Sequence, residues 1–178
     1  SNGTIATAAS LFCTVDMGDG NLGLGSFLIP LDLEGITKGK PLDKIGQRAL
    51  NQGEIFFDNV RIPENYMIAP PEVMGIGVDM VLANANSGMG STFSGLARAA
   101  LELALDYAKE RVQGGVPIIQ HQSVKSRLFD MYRKVEAATA LSRRAIIWNL
   151  THGPRLELAV ASKTLATQTA FEVSSAAL

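Results

Sequence analysis

The segment Gly95–Met131 reads "GLARAALELALDYAKERVQGGVPIIQHQSVKSRLFDM" and decides how the second half of the chain folds. In its first part, apolar residues recur every three or four positions, which is typical of an amphipathic helix. The pair Gly114–Gly115 with Pro117 behind it predicts that this helix ends there. The same spacing resumes after the break, so the segment predicts two packed helices. The predicted apolar stripe of the first helix consists of Phe93, Leu96, Ala100, Leu103 and Tyr107.

Two further helices follow from the same pattern. The second ends near His152, where Gly153 and Pro154 repeat the stop signal, and at about 1.5 Å per residue it is about 45 Å long. Residues 71–178 are therefore predicted to form an up-down helical bundle domain. The predicted apolar positions of the second helix are Val124, Leu128, Met131, Val135, Ala138, Ala145 and Trp148, and those of the third are Leu158, Ser162, Leu165, Thr169 and Val173.

Residues 1–70 follow a different pattern. Short apolar runs separated by glycine and proline predict strands over residues 10–15, 26–30 and 54–63. Several short strands of this kind form an antiparallel sheet or part of a barrel. The predicted fold class is therefore α+β, with a partial antiparallel β-barrel over residues 1–70 followed by the helical bundle over residues 71–178.

A glycine motif lies in this first part. Gly18, Gly20 and Gly23 match the Gly-x-Gly-x-x-Gly pattern of dinucleotide-binding proteins. That pattern works only where the glycines open a helix whose N-terminus receives the phosphates. Here an apolar run closed by Pro30 follows, which is typical of a strand. The glycines therefore predict a turn between two antiparallel strands, not a nucleotide site.

Composition excludes several classes of function. A net charge of −1 over 178 residues gives no general attraction to nucleic acid or anionic membranes. With Cys13 as its one cysteine and only two histidines, the sequence predicts no internal disulfide and no metal site, and we expect a reducing, cytoplasmic location. No apolar run reaches the roughly 18 residues of a membrane span.

The helical pattern continues to Leu178 without a stop signal, and the chain does not begin with methionine. We therefore expect a piece of a longer protein. A three-helix bundle with an open seam exposes apolar surface, so we also expect a homo-oligomer, a fourth helix, or both.

Polar residues at two places suggest binding. Asn86 is in register with Leu82 and Met89 on the predicted apolar stripe, where it is either an interhelical hydrogen-bonding residue or a ligand contact. Arg111 is predicted in the last turn of the first helix, with Gln122 beyond the break. Arginine there is either a cation that complements the helix dipole or a phosphate ligand. From the residues alone, the most specific function that the sequence indicates is phosphate binding.

Three segments resemble the acyl-CoA dehydrogenase family. "SNGTIATAASLFCTV" is similar to the family's Ser-Asn-Gly strand, and "KIGQRALNQGEIFFDNVRIPENYMI" to its Lys-x-Gly-x-Arg signature. The Gly95–Met131 segment resembles the family's Tyr-Ala-x-x-Arg helical hairpin with its downstream glutamine. Together the three segments, in this order, extend the resemblance over nearly the whole chain.

The resemblance implies a flavin enzyme of fatty acid metabolism. In that family FAD lies between a middle β-barrel domain and a C-terminal helical bundle. Ser1 matches the hydroxyl residue that contacts the flavin ring. Arg111 matches the arginine that reaches the diphosphate of the neighbouring subunit's FAD, and Gln122 matches a glutamine on the same dinucleotide. The implied partners are an acyl-CoA substrate, an electron-transfer flavoprotein and further copies of the chain, as a dimer or homotetramer.

Several positions depart from the family pattern. Gly114 stands where the family usually has phenylalanine. The family's Leu-Asp-x-x-Arg, which contacts acyl-CoA, has Ala83 in place of Asp and Asn86 in place of Arg, so Asn86 is the predicted substrate-contact position. In the family the catalytic base usually lies on the segment after the third helix, so we expect it beyond Leu178. The alternative position that a few relatives use is Ala85 here, which cannot serve as a base. The chain alone is therefore expected to be inactive.

Two other functions remain open. The replaced Asp and Arg are compatible with a flavin-dependent oxidase or hydroxylase on the same fold. The alanine-rich helices are compatible with a non-catalytic helical assembly module, although such a module would not need Arg111 or Gln122.

Overall fold

β-Strands dominate the first part of the chain and α-helices the second. The computed structural model describes the backbone of residues 1–18 and 20–178 and, except at Ile76, their side chains. The described residues divide into two units, Ser1–Ile76 and Gly77–Leu178. The predicted α+β class, with antiparallel sheet followed by a helical bundle, is confirmed. The assignment of residues 1–70 and 71–178 to a barrel domain and a bundle domain stays a prediction.

The first unit contains the predicted hairpin. Strand β1 (Ala8–Asp16) pairs antiparallel with β2 (Leu22–Pro30), and β2 pairs with β5 (Met67–Ala69) on its other edge. Gly18 and Gly20 have φ of 91° and 78°, which L-residues with a Cβ rarely adopt. The glycine motif thus belongs to a turn and a strand and opens no helix. Asp19 lies outside the described residues.

The strand predicted over residues 54–63 is wrong in extent. Strand β4 covers only Ile55–Phe57 and pairs with β3 (Ile36–Lys38). One more bond joins the Asp58 amide to the Gly35 carbonyl at 2.9 Å. Asn59 then takes a φ of 50°, a left-handed conformation that ends the extended chain.

Long helices form the second part of the chain. Helix α1 runs over Pro71–Glu110, α2 over Gln122–His152 and α3 over Leu156–Ala176. Helix α2 ends where predicted, at Gly153 with a φ of 90°. Helix α1 ends four residues before Gly114, so the prediction that the glycine pair terminates this helix is wrong. Within the described residues, none of the helices has the length and apolarity to cross a membrane.

The predicted seam of α1 is only partly correct. Phe93 and Ala100 are half-buried and pack against the core, but the fully buried stripe lies one residue further along. Leu96, Leu103 and Tyr107 are 51%, 74% and 60% exposed. The buried stripe instead consists of mostly small side chains spaced by three or four residues, with one step of seven. Small residues let neighbouring helices approach closely. The stripe consists of Ala83, Ser87, Gly90, Ser94, Ala97, Leu101 and Ala108.

The seam of α2 is confirmed and that of α3 only in part. Helix α2 buries the predicted Met131, Val135, Ala138 and Ala145, and Ser142 fills the seven-residue gap between the last two. Helix α3 buries the predicted Ser162, Thr169 and Val173, but Leu158 and Leu165 are not buried. Their places on the seam are taken by Ala159 and Ala166.

The bundle core is apolar at one end and contains a group of hydrogen-bonded serines in its middle. At one end an apolar cluster is formed by Ala97, Leu101, Met131, Val135, Ala170 and Val173. In the middle, Ser142 Oγ lies 3.1 Å from both Ser94 Oγ and Ser162 Oγ, so one serine from each helix joins a buried hydrogen-bonded group. Gly90 lies against this group, and a Cβ built on Gly90 would overlap Ser162 Oγ.

This packing predicts opposite effects for two glycines of α1. Gly90→Ala should lower the free energy of unfolding by about 1–2 kcal/mol, because overpacking outweighs the gain in helix propensity. Gly88→Ala is the matched control: no atom outside its own helix lies within 4 Å of the built Cβ. This variant should gain about 0.5–1 kcal/mol. Urea unfolding of both variants measures the difference, and equal effects would contradict the close packing.

An ion-pair network joins α2 to α3 at the surface. Lys134 Nζ lies 2.8 Å from Asp130 Oδ2 and 2.9 Å from Glu172 Oε2. The hydrogen bond from Lys134 is the largest cause that lowers the pKa of Asp130 and the pKa of Glu172. A lowered carboxyl pKa in the folded state means stabilisation that is present at neutral pH and lost as the pH falls through that pKa.

Glu172→Gln should therefore melt below the wild type at pH 7, by no more than a few degrees since exposed ion pairs contribute little. The difference should vanish at a pH below the lowered pKa of Glu172, where this carboxylate is protonated in either state. Thermal melts at both pH values test this. A deficit that persists at low pH would mean that Glu172 stabilises by packing and not by charge.

Candidate functional site

A tight hairpin connects α1 to α2. Strands β6 (Val112–Gln113) and β7 (Val116–Pro117) pair antiparallel around Gly114 and Gly115. The two glycines have φ of 65° and 82°. Positive φ at both central residues is the requirement of a type I′ turn, which matches the twist of the flanking strands. The glycine pair is therefore a hairpin turn.

Arg111 lies just beyond α1, not in its last turn. Its backbone N–H donates to the Tyr107 carbonyl at 2.8 Å, and its carbonyl accepts from the Ile118 N–H at 2.8 Å. The backbone of Arg111 is thus held from the helix and from the far side of the hairpin. The side chain itself is exposed. A fixed backbone with an exposed guanidinium is suited to reach a ligand outside the bundle.

Gln122 is the first residue of α2, and its side chain is exposed. The preceding residue, His121, does not cap the helix with its side chain. Its Nε2 instead lies 3.0 Å from the Gln113 carbonyl oxygen, across the hairpin. Helix starts leave backbone N–H groups unpaired and carry partial positive charge. The hairpin therefore places the Arg111 guanidinium, the Gln122 amide and the start of α2 on one short connection.

A cavity of about 370 Å³ adjoins this hairpin. Gly114 lies in its wall, and a Cβ built on Gly114 would lie 3.6 Å from His121 Cε1. Its other lining residues are Gln113, Ile118, His121, Ser123 and Val124. The sequence pattern did not point to His121; only the folded hairpin brings its ring to the Gln113 carbonyl.

Asn86 is half-buried, and its Nδ2 donates to the Leu82 carbonyl of the preceding turn at 2.7 Å. Ala83 is fully buried, and its carbonyl accepts from Asn149 Nδ2 at 3.1 Å. Neither position carries charge. Over residues 71–97 the charged residues are Glu72 and Asp79, so this stretch contains no cation.

Ser1 belongs to the first unit and is exposed. The next residue, Asn2, has a φ of 61° and donates its N–H to the Asn51 carbonyl at 2.6 Å. The chain around Ser1 is therefore tied to the loop that contains Asn51. Among the residues that the structure describes, no group of three His, Cys, Asp or Glu side chains could hold a metal ion.

Comparison with known proteins decides the family. The family model described as "Acyl-CoA dehydrogenase, C-terminal domain" matches residues 77–178. The chain belongs to the acyl-CoA dehydrogenase family. A human relative, the mitochondrial short-chain specific acyl-CoA dehydrogenase, is 32% identical over 174 residues, which is 97% of this chain and 42% of the relative.

Solved structures of acyl-CoA dehydrogenases and related proteins have the same fold. Butyryl-CoA dehydrogenase from Megasphaera elsdenii superposes with a TM-score of 0.88 at 31% identity, over 99% of this chain and 46% of that one. The structure of PigA with FAD and proline also has a TM-score of 0.88, at 29% identity, over 99% of this chain and 46% of that one. The chain thus spans about half the length of the acyl-CoA dehydrogenases it matches.

Proposed function

We propose that the chain contributes the FAD-diphosphate contact of an FAD-dependent acyl-CoA dehydrogenase, which catalyses α,β-dehydrogenation of an acyl-CoA thioester. The observation that supports this most directly is the hairpin between α1 and α2. There Arg111 and Gln122, both exposed, lie at the two ends of the connection that the paired strands β6 and β7 form between α1 and α2. Family membership supports the flavin chemistry.

The donor set of this hairpin fits a dinucleotide. A diphosphate is an anion with several acceptor oxygens, and arginine binds such groups through two parallel N–H donors. The Gln122 amide adds a neutral donor, and the start of α2 adds the favourable end of the helix dipole. We propose that Arg111 and Gln122 hold the FAD of the neighbouring subunit and, separately, that the Ser1 hydroxyl contacts a flavin ring.

When bound, FAD supplies the acceptor for a hydride from the β-carbon of the substrate. The task of this chain's residues is then to bind and orient. A carboxylate must remove the α-proton, and we propose that it does not come from residues 1–178. Ala85, at the alternative base position, has no group that accepts a proton. Residues 1–178 alone are expected to show no dehydrogenase turnover.

We further propose that the protein works as a homo-oligomer, a dimer or tetramer. Leu103 and Tyr107 are 74% and 60% exposed on α1, and Phe171 is 75% exposed on α3. Exposed apolar side chains along long helices are suited to an interface between copies. In such an assembly Arg111 would reach the FAD of the neighbouring subunit. Reoxidation by an electron-transfer flavoprotein and a cytoplasmic location stay predictions.

Substituting Arg111 tests the diphosphate contact. In the protein expressed from its complete reading frame, Arg111→Gln should weaken FAD binding roughly tenfold or more, since hydrogen bonds to charged groups are the strong ones. Arg111→Lys should lose less, because lysine keeps the charge but not the two-donor geometry. FAD titration followed by flavin fluorescence measures both.

Arg144→Gln is the matched control, because Arg144 is an exposed arginine on α2 away from the hairpin. Its removal changes net charge by the same amount and should leave FAD affinity unchanged. If the Gln variants at positions 111 and 144 lose affinity equally, the effect is general electrostatics and the proposed contact is wrong. A wild-type protein that binds no FAD would leave the assembly module as the function.

A second candidate is a different flavin reaction, an oxidase or hydroxylase reaction, on the same fold. The uncharged Ala83 and Asn86 at the positions of the family's acyl-CoA contact favour it, as does the likeness to PigA with FAD and proline. Anaerobic mixing with acyl-CoA thioesters distinguishes the two. Loss of flavin absorbance without oxygen, followed by slow recovery when oxygen is admitted, supports the dehydrogenase. Fast recovery, or flavin that no acyl-CoA reduces, supports the alternative.

A further inference from the structure

One residue of an exposed loop holds the beginning of the first unit. The loop of residues 42–53, called the 42–53 loop below, contains Asn51. The Asn51 carbonyl accepts the Asn2 N–H at 2.6 Å, and Asn51 Oδ1 accepts the hydroxyl of Thr4 at 2.7 Å. Asn51 thus accepts hydrogen bonds from both Asn2 and Thr4, one through its backbone carbonyl and one through its side chain. Both partners lie in the segment immediately after Ser1.

The segment that Asn51 holds has an uncommon conformation. Asn2 has a φ of 61°, in the left-handed region that asparagine tolerates better than most residues. Its carbonyl accepts the N–H groups of Ile5 at 3.0 Å and Ala6 at 2.8 Å, which closes a tight turn. This turn lies between Ser1 and the start of β1, so it sets the direction in which the chain runs from β1 to Ser1.

Two glycines let the loop approach this segment. Gly3 is buried, and a Cβ built on it would lie 2.8 Å from the Gly53 carbonyl oxygen. A Cβ built on Gly53 would overlap the methyl group of Thr4. The two backbones are therefore in direct contact, and the hydrogen bonds to Asn51 form at the end of this contact.

Lys44 in turn fixes the part of the loop that contains Asn51. Its Nζ donates to the Leu50 carbonyl at 2.7 Å and to Gln52 Oε1 at 2.9 Å, so it holds the residues on both sides of Asn51. The Gln52 carbonyl also accepts the Leu42 N–H at 2.8 Å. Lys44 is half-buried in a loop that is otherwise mostly exposed. Hydrogen bonds from a charged donor are stronger than neutral ones, which suits Lys44 to this task.

We infer that Asn51 and Lys44 are positioning residues for the flavin contact at Ser1. Asn51 holds the Ser1 segment, and Lys44 holds Asn51. Neither residue needs to touch the cofactor. The inference rests on the proposed function, in which the Ser1 hydroxyl contacts the flavin ring. It also gives the lysine of the Lys-x-Gly-x-Arg motif a physical role within this unit.

Amide hydrogen exchange tests the first step without flavin. Asn51→Ala removes the acceptor for Thr4, so the amides of Ile5 and Ala6 should exchange about fivefold faster, the effect of one ordinary hydrogen bond. Asn51→Asp keeps an acceptor oxygen and should restore most of the protection. Thr4→Val should match Asn51→Ala, and Thr7→Val, an exposed threonine on the same segment, is the control.

Flavin spectroscopy tests the second step in the FAD-loaded protein. Asn51→Ala and Lys44→Met should each shift the flavin absorption and fluorescence spectrum and weaken FAD binding about fivefold. Lys44→Arg keeps a charged donor and should recover part of the loss. Lys40→Met, an exposed lysine before the loop, should leave both readouts unchanged.

The outcomes separate the two proposals. Unchanged exchange in Asn51→Ala overturns the positioning role, whatever the flavin does. Faster exchange with a wild-type flavin spectrum and affinity also overturns it, because the segment then moves without consequence for the cofactor. If the wild-type protein binds no FAD, the proposed function fails and the flavin role of Asn51 fails with it. Faster exchange together with a shifted spectrum, both recovered in the conservative variants, supports the inference.

Discussion

Close contact between small side chains holds the helical unit together. Gly90 lies directly against Ser162, and the hydroxyls of Ser94, Ser142 and Ser162 bind one another in the space that remains. Buried hydroxyls are favourable only when they are paired, so the three serines must keep their register. That register fixes how α1 and α2 pack side by side, and the hairpin that contains Arg111 joins them.

The same contact determines which surface the unit presents. Since α1 uses its small residues inward, its large ones, Leu96, Leu103 and Tyr107, lie outside. An interior of alanine, glycine and serine buries little apolar area per residue, so its stability comes from tight fit more than from the amount of apolar surface removed from water. The exposed apolar side chains of α1 and the close packing inside the bundle are therefore two results of one choice of seam.

The sequence predicted the fold class and the three long helices. It predicted the α1 seam only in part, and it did not predict the end of α1 or the extent of the strand within residues 54–63. Periodicity locates α2 because Met131 and Val135 are both large and buried. It fails for α1, where the most apolar stripe is one residue away from the buried one, and hydrophobicity alone does not register close packing. A glycine pair such as Gly114–Gly115 is compatible with a helix end or with a hairpin turn. The pairing of Val116 with Gln113 makes it a hairpin turn. The tie between Asn51 and Thr4 has no sequence signal, because it joins residues 47 positions apart.

Ala83 has a consequence for how such a sequence could evolve. It is fully buried, and its carbonyl is held by Asn149, whose Oδ1 accepts the N–H of Arg155 at 3.1 Å. Replacing Ala83 by aspartate would place a carboxylate in this packed interface, which is strongly unfavourable unless a cation pairs with it. The contact of Asn149 with the Ala83 backbone fits a small side chain at position 83. A charge at position 83 would therefore require a second, compensating substitution on the neighbouring helix.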